Sequence, residues 1–104
     1  MSIAKTPEPP YYAVIFTSVQ SSDTEGYRSM AEKMLALAAE QPGYLGVESA
    51  REGIGITVSY WRDIESIQQW KKHAEHLQAQ AAGKSRWYKN YTTRIARVER
   101  EYSK

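Results

Sequence analysis

The 104-residue chain contains no cysteine. Disulfides, thiolate metal sites and cysteine nucleophiles are therefore excluded, and the chain suits a reducing or an oxidising compartment equally. It also lacks any block of one charge sign. Its 14 basic and 12 acidic side chains are interspersed and leave a net charge of +2, so nothing concentrates the field that a nucleic-acid backbone or an anionic lipid surface would need. The longest apolar run, Met34 to Ala39, falls far short of the roughly 20 residues that span a bilayer. The opening MSIAKTPEPP has no apolar stretch of the kind found in a secretory leader, and the expected location is the cytoplasm. No phosphate-cradling glycine loop, nucleophile elbow or metal-binding helix motif occurs. Phenylalanine is nearly missing too, with one Phe against eight Tyr and three Trp. Aromatic side chains with a polar handle suit interfaces and ligand pockets, where an apolar surface must also present hydrogen bonds.

At this length one domain with one two-layer core is expected. Residues 1–10, with three prolines and little to bury, predict a disordered or loosely held arm, and residues 11–104 the domain. Tyr11 to Val19 reads as a strand. Asp23 or Thr24 is positioned to cap a helix whose apolar residues Tyr27, Met30, Ala31, Met34, Leu37 and Ala38 recur at threes and fours. Pro42-Gly43 turns the chain into a strand from Tyr44 to Arg51, and Glu52-Gly53 makes a hairpin with Ile54 to Trp61. Asp63 then caps a helix from Ile64 to about Gln80, with a break conceivable near His73 to His76 and a stop at Gly83. Trp87 to Tyr102 reads as the last strand.

The order β-α-β-β-α-β predicts an α+β, ferredoxin-like fold, with two helices on one face of a four-stranded antiparallel sheet. The other face would be an exposed apolar patch in a monomer, so the expected assembly is a homodimer with bare face packed on bare face, a dimeric α/β barrel. For chemistry, Tyr60, Trp61, Trp70, Trp87, Tyr88 and Tyr91 can wall a pocket for a flat aromatic molecule, with Arg94 or a histidine as polar anchor. Set against this, the same aromatics serve equally as core and dimer interface. His73 and His76 are one helical turn apart, which fits a base or a ligand pair, or simply a solvated helix face beside Lys71 and Lys72. Glu48 is a mid-strand carboxylate expected to pair with Arg51 or Arg94 across the sheet.

Four segments, QPGYLGVES (41–49), SYWRDIESIQQWKKHAEH (59–76), AQAAGKSRWY (79–88) and RIARVEREY (94–102), together resemble the antibiotic biosynthesis monooxygenase superfamily. That resemblance implies small dimeric α/β-barrel proteins. It also implies oxygenation of phenols or quinols without metal or organic cofactor, with His76 or His73 as base, Tyr60, Trp61, Trp70, Trp87 and Tyr91 around the substrate, and Arg94 stabilising a phenolate. A haem-degrading branch of the superfamily is the alternative. Trp70 matches that branch's Trp, but Gln80 stands where its haem-ligating His would be, and no Asn occurs between Tyr11 and Val19. A third reading is a non-catalytic binding or stress protein that uses the fold as a dimer scaffold.

Overall fold

β-branched and aromatic residues dominate Tyr11–Gln20, Ile54–Trp61 and Tyr88–Val98, which together with Tyr44–Glu52 make the four strands β1 (Tyr11–Gln20), β2 (Tyr44–Glu52), β3 (Ile54–Trp61) and β4 (Tyr88–Val98). Between them run two helices, α1 (Tyr27–Ala39) after β1 and α2 (Ile64–Ala81) after β3. The computed structural model describes residues 2–81 and 86–104. All strand pairs are antiparallel, in the order β2-β3-β1-β4, which is the ferredoxin-like arrangement. No helix among the described residues is long and apolar enough to cross a membrane.

Local chemistry sets the element ends. Asp63 caps α2 as expected, its Oδ1 accepting the Ser66 N–H at 2.8 Å. The Ser66 hydroxyl adds to this bond, and together they hold the Asp63 carboxyl below its ordinary value. Gly53, at φ 75°, turns β2 into β3. Three expectations are corrected. α2 runs through His73 and His76 without a break. α1 begins at Tyr27 behind Gly26 (φ 80°), with no side-chain cap. Asp23 is occupied instead, its carboxylate accepting from the Glu25 N–H and from Arg86. β4 stops at Val98 rather than Tyr102, because its last partner is Tyr11 and the preceding Pro9 and Pro10 have no N–H to offer a ladder. The helix stop expected at Gly83 lies outside the described residues.

Pairing register assigns the faces. Tyr12 lies opposite Trp61, Val14 opposite Ser59 and Ile95, and Phe16 opposite Thr57 and Thr93, so all of these share the side that the helices cover. There Trp61, with 0% exposure, packs with Ala38 of α1 and Ile67 of α2, flanked by Tyr12, Val14, Tyr44 and Trp70. Burial of a side chain this large is worth several times a methylene's ~0.8 kcal/mol, and it docks both helices onto one end of the sheet. The opposite face carries Tyr11, Ala13, Ile15 and Val19 of β1 beside Ile54, Ile56, Val58 and Tyr60 of β3. Ile54 and Ile56 remain 53% and 44% exposed there. Residues 2–10 form no helix or strand, yet they touch this bare face. The Ala4 N–H donates to Glu48 Oε2 at 2.9 Å, and Thr6 Oγ1 donates to Glu101 at 2.6 Å.

Candidate functional site

The helix-covered side of the sheet has two ends with different chemistry. At the end where β1 begins, Trp61 stacks on Trp70 with ring centroids 6.1 Å apart and planes 22° apart, and Tyr44 meets Trp61 edge-on at 5.6 Å. The Trp61 indole N–H donates to Ser59 Oγ at 2.8 Å. Trp61 and Trp70 thus fill one another's surroundings as a packed core.

The far end, where the β2–β3 hairpin lies, is aromatic but also polar. Tyr27 of α1 meets Trp87 and Tyr88 edge-on at 5.7 and 5.9 Å, and Phe16 of β1 lies 5.3 Å from Tyr88 and 5.4 Å from Tyr91. The chain entering β4 is pinned there by bonds to the β1–α1 loop. Ser21 N–H donates to the Trp87 carbonyl at 2.8 Å, the Trp87 indole donates to the Glu25 carbonyl at 2.8 Å, and Arg86 donates to the same carbonyl at 3.0 Å. Beside these rings the Arg51 guanidinium crosses from β2 over Gly55 of β3 to reach Ser18 of β1, with Nη2 2.6 Å from Oγ and Nη1 3.5 Å from the carbonyl oxygen. Gly55 makes this crossing possible, since a Cβ there would sit 2.1 Å from Arg51 Nη2. Ser18 is 2% exposed beneath the guanidinium, whereas Arg51 itself is open to solvent on its outer side. Burial pushes the Tyr88 hydroxyl well above the ordinary tyrosine value, and its hydrogen bond to Tyr27 adds to the effect, while the charge of Arg51 acts in the opposite direction. Tyr88 is therefore a neutral hydrogen-bonding group at any ordinary pH.

On the bare face, Tyr60 donates to Glu48 Oε1 at 2.5 Å and meets Tyr11 edge-on at 5.8 Å, and Tyr11 donates to Glu101 at 2.7 Å. Burial and the Glu48 carboxylate both push the Tyr60 hydroxyl upward. The expected pairing of Glu48 with Arg51 or Arg94 does not occur. Glu48 and Arg51 point to opposite faces of β2, and Arg94 sits three strand spacings away, about 14 Å. A depression of about 180 Å³ lies at the hairpin end, lined by Thr17, Ser18, Val19, Ile54, Asn90, Tyr91 and Thr92.

The residues expected to wall one pocket are therefore distributed over three places. Trp61 and Trp70 are in the core at one end, Trp87 and Tyr91 flank the polar cluster at the other, and Tyr60 and Arg94 belong to the bare face. His73 and His76 are both exposed on α2, whose inner face is made by Ile67, Trp70, Ala74, Leu77 and Gln78. His73 flanks that face and His76 lies on the outer side. Neither histidine shares a helix face with a carboxylate trio, and no group of three or more His, Asp or Glu that could hold a metal ion exists among the described residues. Exposed, outward-turned His76 is equally poorly placed to ligate an iron beside Trp70. Tyr88 was expected among the pocket aromatics, whereas Arg51, Ser18, Tyr27 and Phe16 were not anticipated as site residues. One signal for them was available, because a hairpin centred on Gly53 puts Arg51 opposite Gly55, the residue type that admits a side chain across its strand.

Comparison with known proteins adds to the geometry. A family model described as antibiotic biosynthesis monooxygenase matches residues 10–82. The chain is 55% identical to the uncharacterized protein YqjZ of Bacillus subtilis over 95% of its own length and 89% of that protein's. It is 29% identical over 84% of its length to the jasmonate monooxygenase ABM of Pyricularia oryzae, of which it spans 43%. Among solved structures, it is similar in fold to SnoaB, a cofactor-independent oxygenase from Streptomyces nogalater. There the TM-score is 0.67 at 13% identity, with 91% of this chain and 97% of that one covered.

Proposed function

The chain belongs to the antibiotic biosynthesis monooxygenase family, and on that premise we propose that it is a cofactor-independent monooxygenase acting on a small phenol- or quinol-like substrate. The observation that carries the proposal is the hairpin end of the helix-covered side, where an aromatic pair (Phe16, Tyr91), its ring planes 33° apart, adjoins hydrogen-bonding groups. A ring lying on Phe16 and Tyr91 would keep van der Waals contact along one face and point an oxygen at the polar cluster.

The reaction proposed needs four events. A base removes the phenol proton, and the resulting anion transfers one electron to dioxygen. The two radicals join as a carbon-bound peroxide that takes up a proton. Loss of water, with the second ring hydrogen leaving as a proton, then gives a quinone, so one dioxygen supplies one oxygen atom to product and one to water. His73, on the flank of α2, is the base we assign. The protein's task is to hold the ring, favour its anion and exclude water. We further propose that the bare face, with Ile54 and Ile56 exposed, is covered by a second copy of the chain.

Oxygen uptake with a panel of naphthols and quinols tests the reaction. The expected result is stoichiometric dioxygen consumption and quinone formation by the purified protein, reduced at least tenfold in a His73→Ala/His76→Ala variant. Uptake that is unchanged in the double variant removes the assigned base, and no uptake with any of the panel removes the monooxygenase reading.

A further inference from the structure

We propose that Arg51, laid across Gly55 and anchored on Ser18, is the receptor for an anionic oxygen, phenolate or carboxylate, on a flat apolar ligand, with the hydrogen-bonded Tyr27–Tyr88 pair beside it supplying one further O–H donor. This deepens the reading above, on which it rests only for where the ring lies.

The geometry supports the assignment in three ways. First, Arg51 spends two of its donors on Ser18, the hydroxyl and the carbonyl, leaving the remainder of its five N–H groups facing outward, where Arg51 is exposed. Second, the guanidinium is immobilised before any ligand arrives. Its plane lies on a strand glycine and its edge is bonded to a nearly fully buried hydroxyl, so little side-chain entropy is left to lose on binding. Third, its charge has no compensating carboxylate. The ion pairs among the described residues join Arg62 to Asp63, Lys71 to Glu75, Arg86 to Asp23 and Arg97 to Glu99, and Arg51 takes part in none of them. The Tyr88 hydroxyl, kept neutral by burial and hydrogen-bonded to Tyr27, lies within the field of Arg51, and Phe16 and Tyr91 continue the aromatic surface. A fixed cation at one end of an aromatic floor selects a ligand that is flat, apolar and singly negative at its tip. In the proposed reaction the same contact would favour the ionised phenol over the neutral one.

Equilibrium binding by calorimetry tests this without reference to turnover. The probes are 4-nitrophenolate, 2-naphthoate and the neutral 4-nitroanisole, and the variants are Arg51→Met, Arg51→Lys and Gly55→Ala. The added methyl of the last variant displaces the guanidinium without removing its charge from the chain. Arg62→Met, on a side chain remote from the cluster, is the control. In the wild type and in Arg62→Met, at least one of the two anions should bind roughly tenfold or more tightly than 4-nitroanisole, the gain expected from a charge-assisted bond. That preference should vanish in Arg51→Met and Gly55→Ala while 4-nitroanisole affinity stays as in the wild type and both variants remain folded by circular dichroism. A preference for 2-naphthoate alone identifies a carboxylate ligand, and one for 4-nitrophenolate alone a phenolate. Equal loss for anionic and neutral probes, as a merely structural Arg51 would give, overturns the proposal. So does an unchanged anion preference in both Arg51→Met and Gly55→Ala. Arg51-dependent binding without oxygen uptake would leave this receptor standing and remove only the monooxygenase reading.

Discussion

Gly43 offers a sharp stability test, because two independent physical costs meet at one atom. Its backbone is left-handed, at φ +84°, where a Cβ clashes with the following carbonyl at a cost of about 1–2 kcal/mol. A Cβ would also sit 2.1 Å from Ser66 Oγ and 2.6 Å from Ser66 Cβ. Ser66 is buried and cannot simply swing away, since its hydroxyl and N–H both bind Asp63 at the start of α2. Forcing extra volume into such a site costs a further ~1–3 kcal/mol. Gly43→Ala should therefore destabilise by about 2–5 kcal/mol, a large part of the stability of an ordinary domain. A Ser66→Gly background removes the obstructing atoms but not the backbone cost. In that background the same substitution should cost only about 1–2 kcal/mol, and the difference is the coupling that a double-mutant cycle isolates. Urea unfolding followed by far-ultraviolet circular dichroism measures all four species. A Gly43→Ala cost below about 1 kcal/mol, or the same cost in both backgrounds, would refute the close approach of this turn to α2.

Two further outcomes follow from the bare face. Tyr60 has its hydroxyl raised above the ordinary tyrosine value of about 10, so its contribution to stability is complete below that pH and is lost as pH climbs towards the folded-state value. The urea midpoint of Tyr60→Phe should accordingly fall less steeply than that of the wild type above about pH 10, and parallel curves would show that burial and Glu48 do not hold Tyr60 neutral. Ile56→Glu places a charge on the proposed dimer contact. Sedimentation equilibrium should give twice the chain mass for the wild type and the single mass for this variant, and a monomeric wild type at micromolar concentration would defeat the dimer.

The outline of the fold was legible because each signal is local. Alternating strands, the Asp63 cap, the Pro42-Gly43 and Glu52-Gly53 turns and the helical spacing of Ile67, Trp70, Ala74 and Leu77 each depend on neighbours within a few residues. The errors came where a distant partner decides. β4 ends where β1 runs out of hydrogen-bond donors, and Asp23 is diverted from capping by Arg86, some sixty residues on. Glu48 illustrates the same limit within the site. Strand parity identifies the face it shares with Tyr60, but strand order keeps it from Arg94, and residues 2–10 bring it an N–H that no periodicity foretells.

By itself, then, the sequence determined the two-layer α+β order, the absence of thiol chemistry and the aromatic richness of the chain, all of which are properties of composition and of periods two and 3.6. Only the tertiary structure decided which aromatics meet. It buried Trp61 against Trp70 at one end, left Tyr60 on the opposite face, and gathered Phe16, Tyr27, Arg51, Tyr88 and Tyr91 from four separate elements at the other end. The reason is geometric. Adjacent positions in a strand differ only in sign of face, whereas the neighbours across a sheet are fixed by register between segments tens of residues apart, and a site is made of such neighbours.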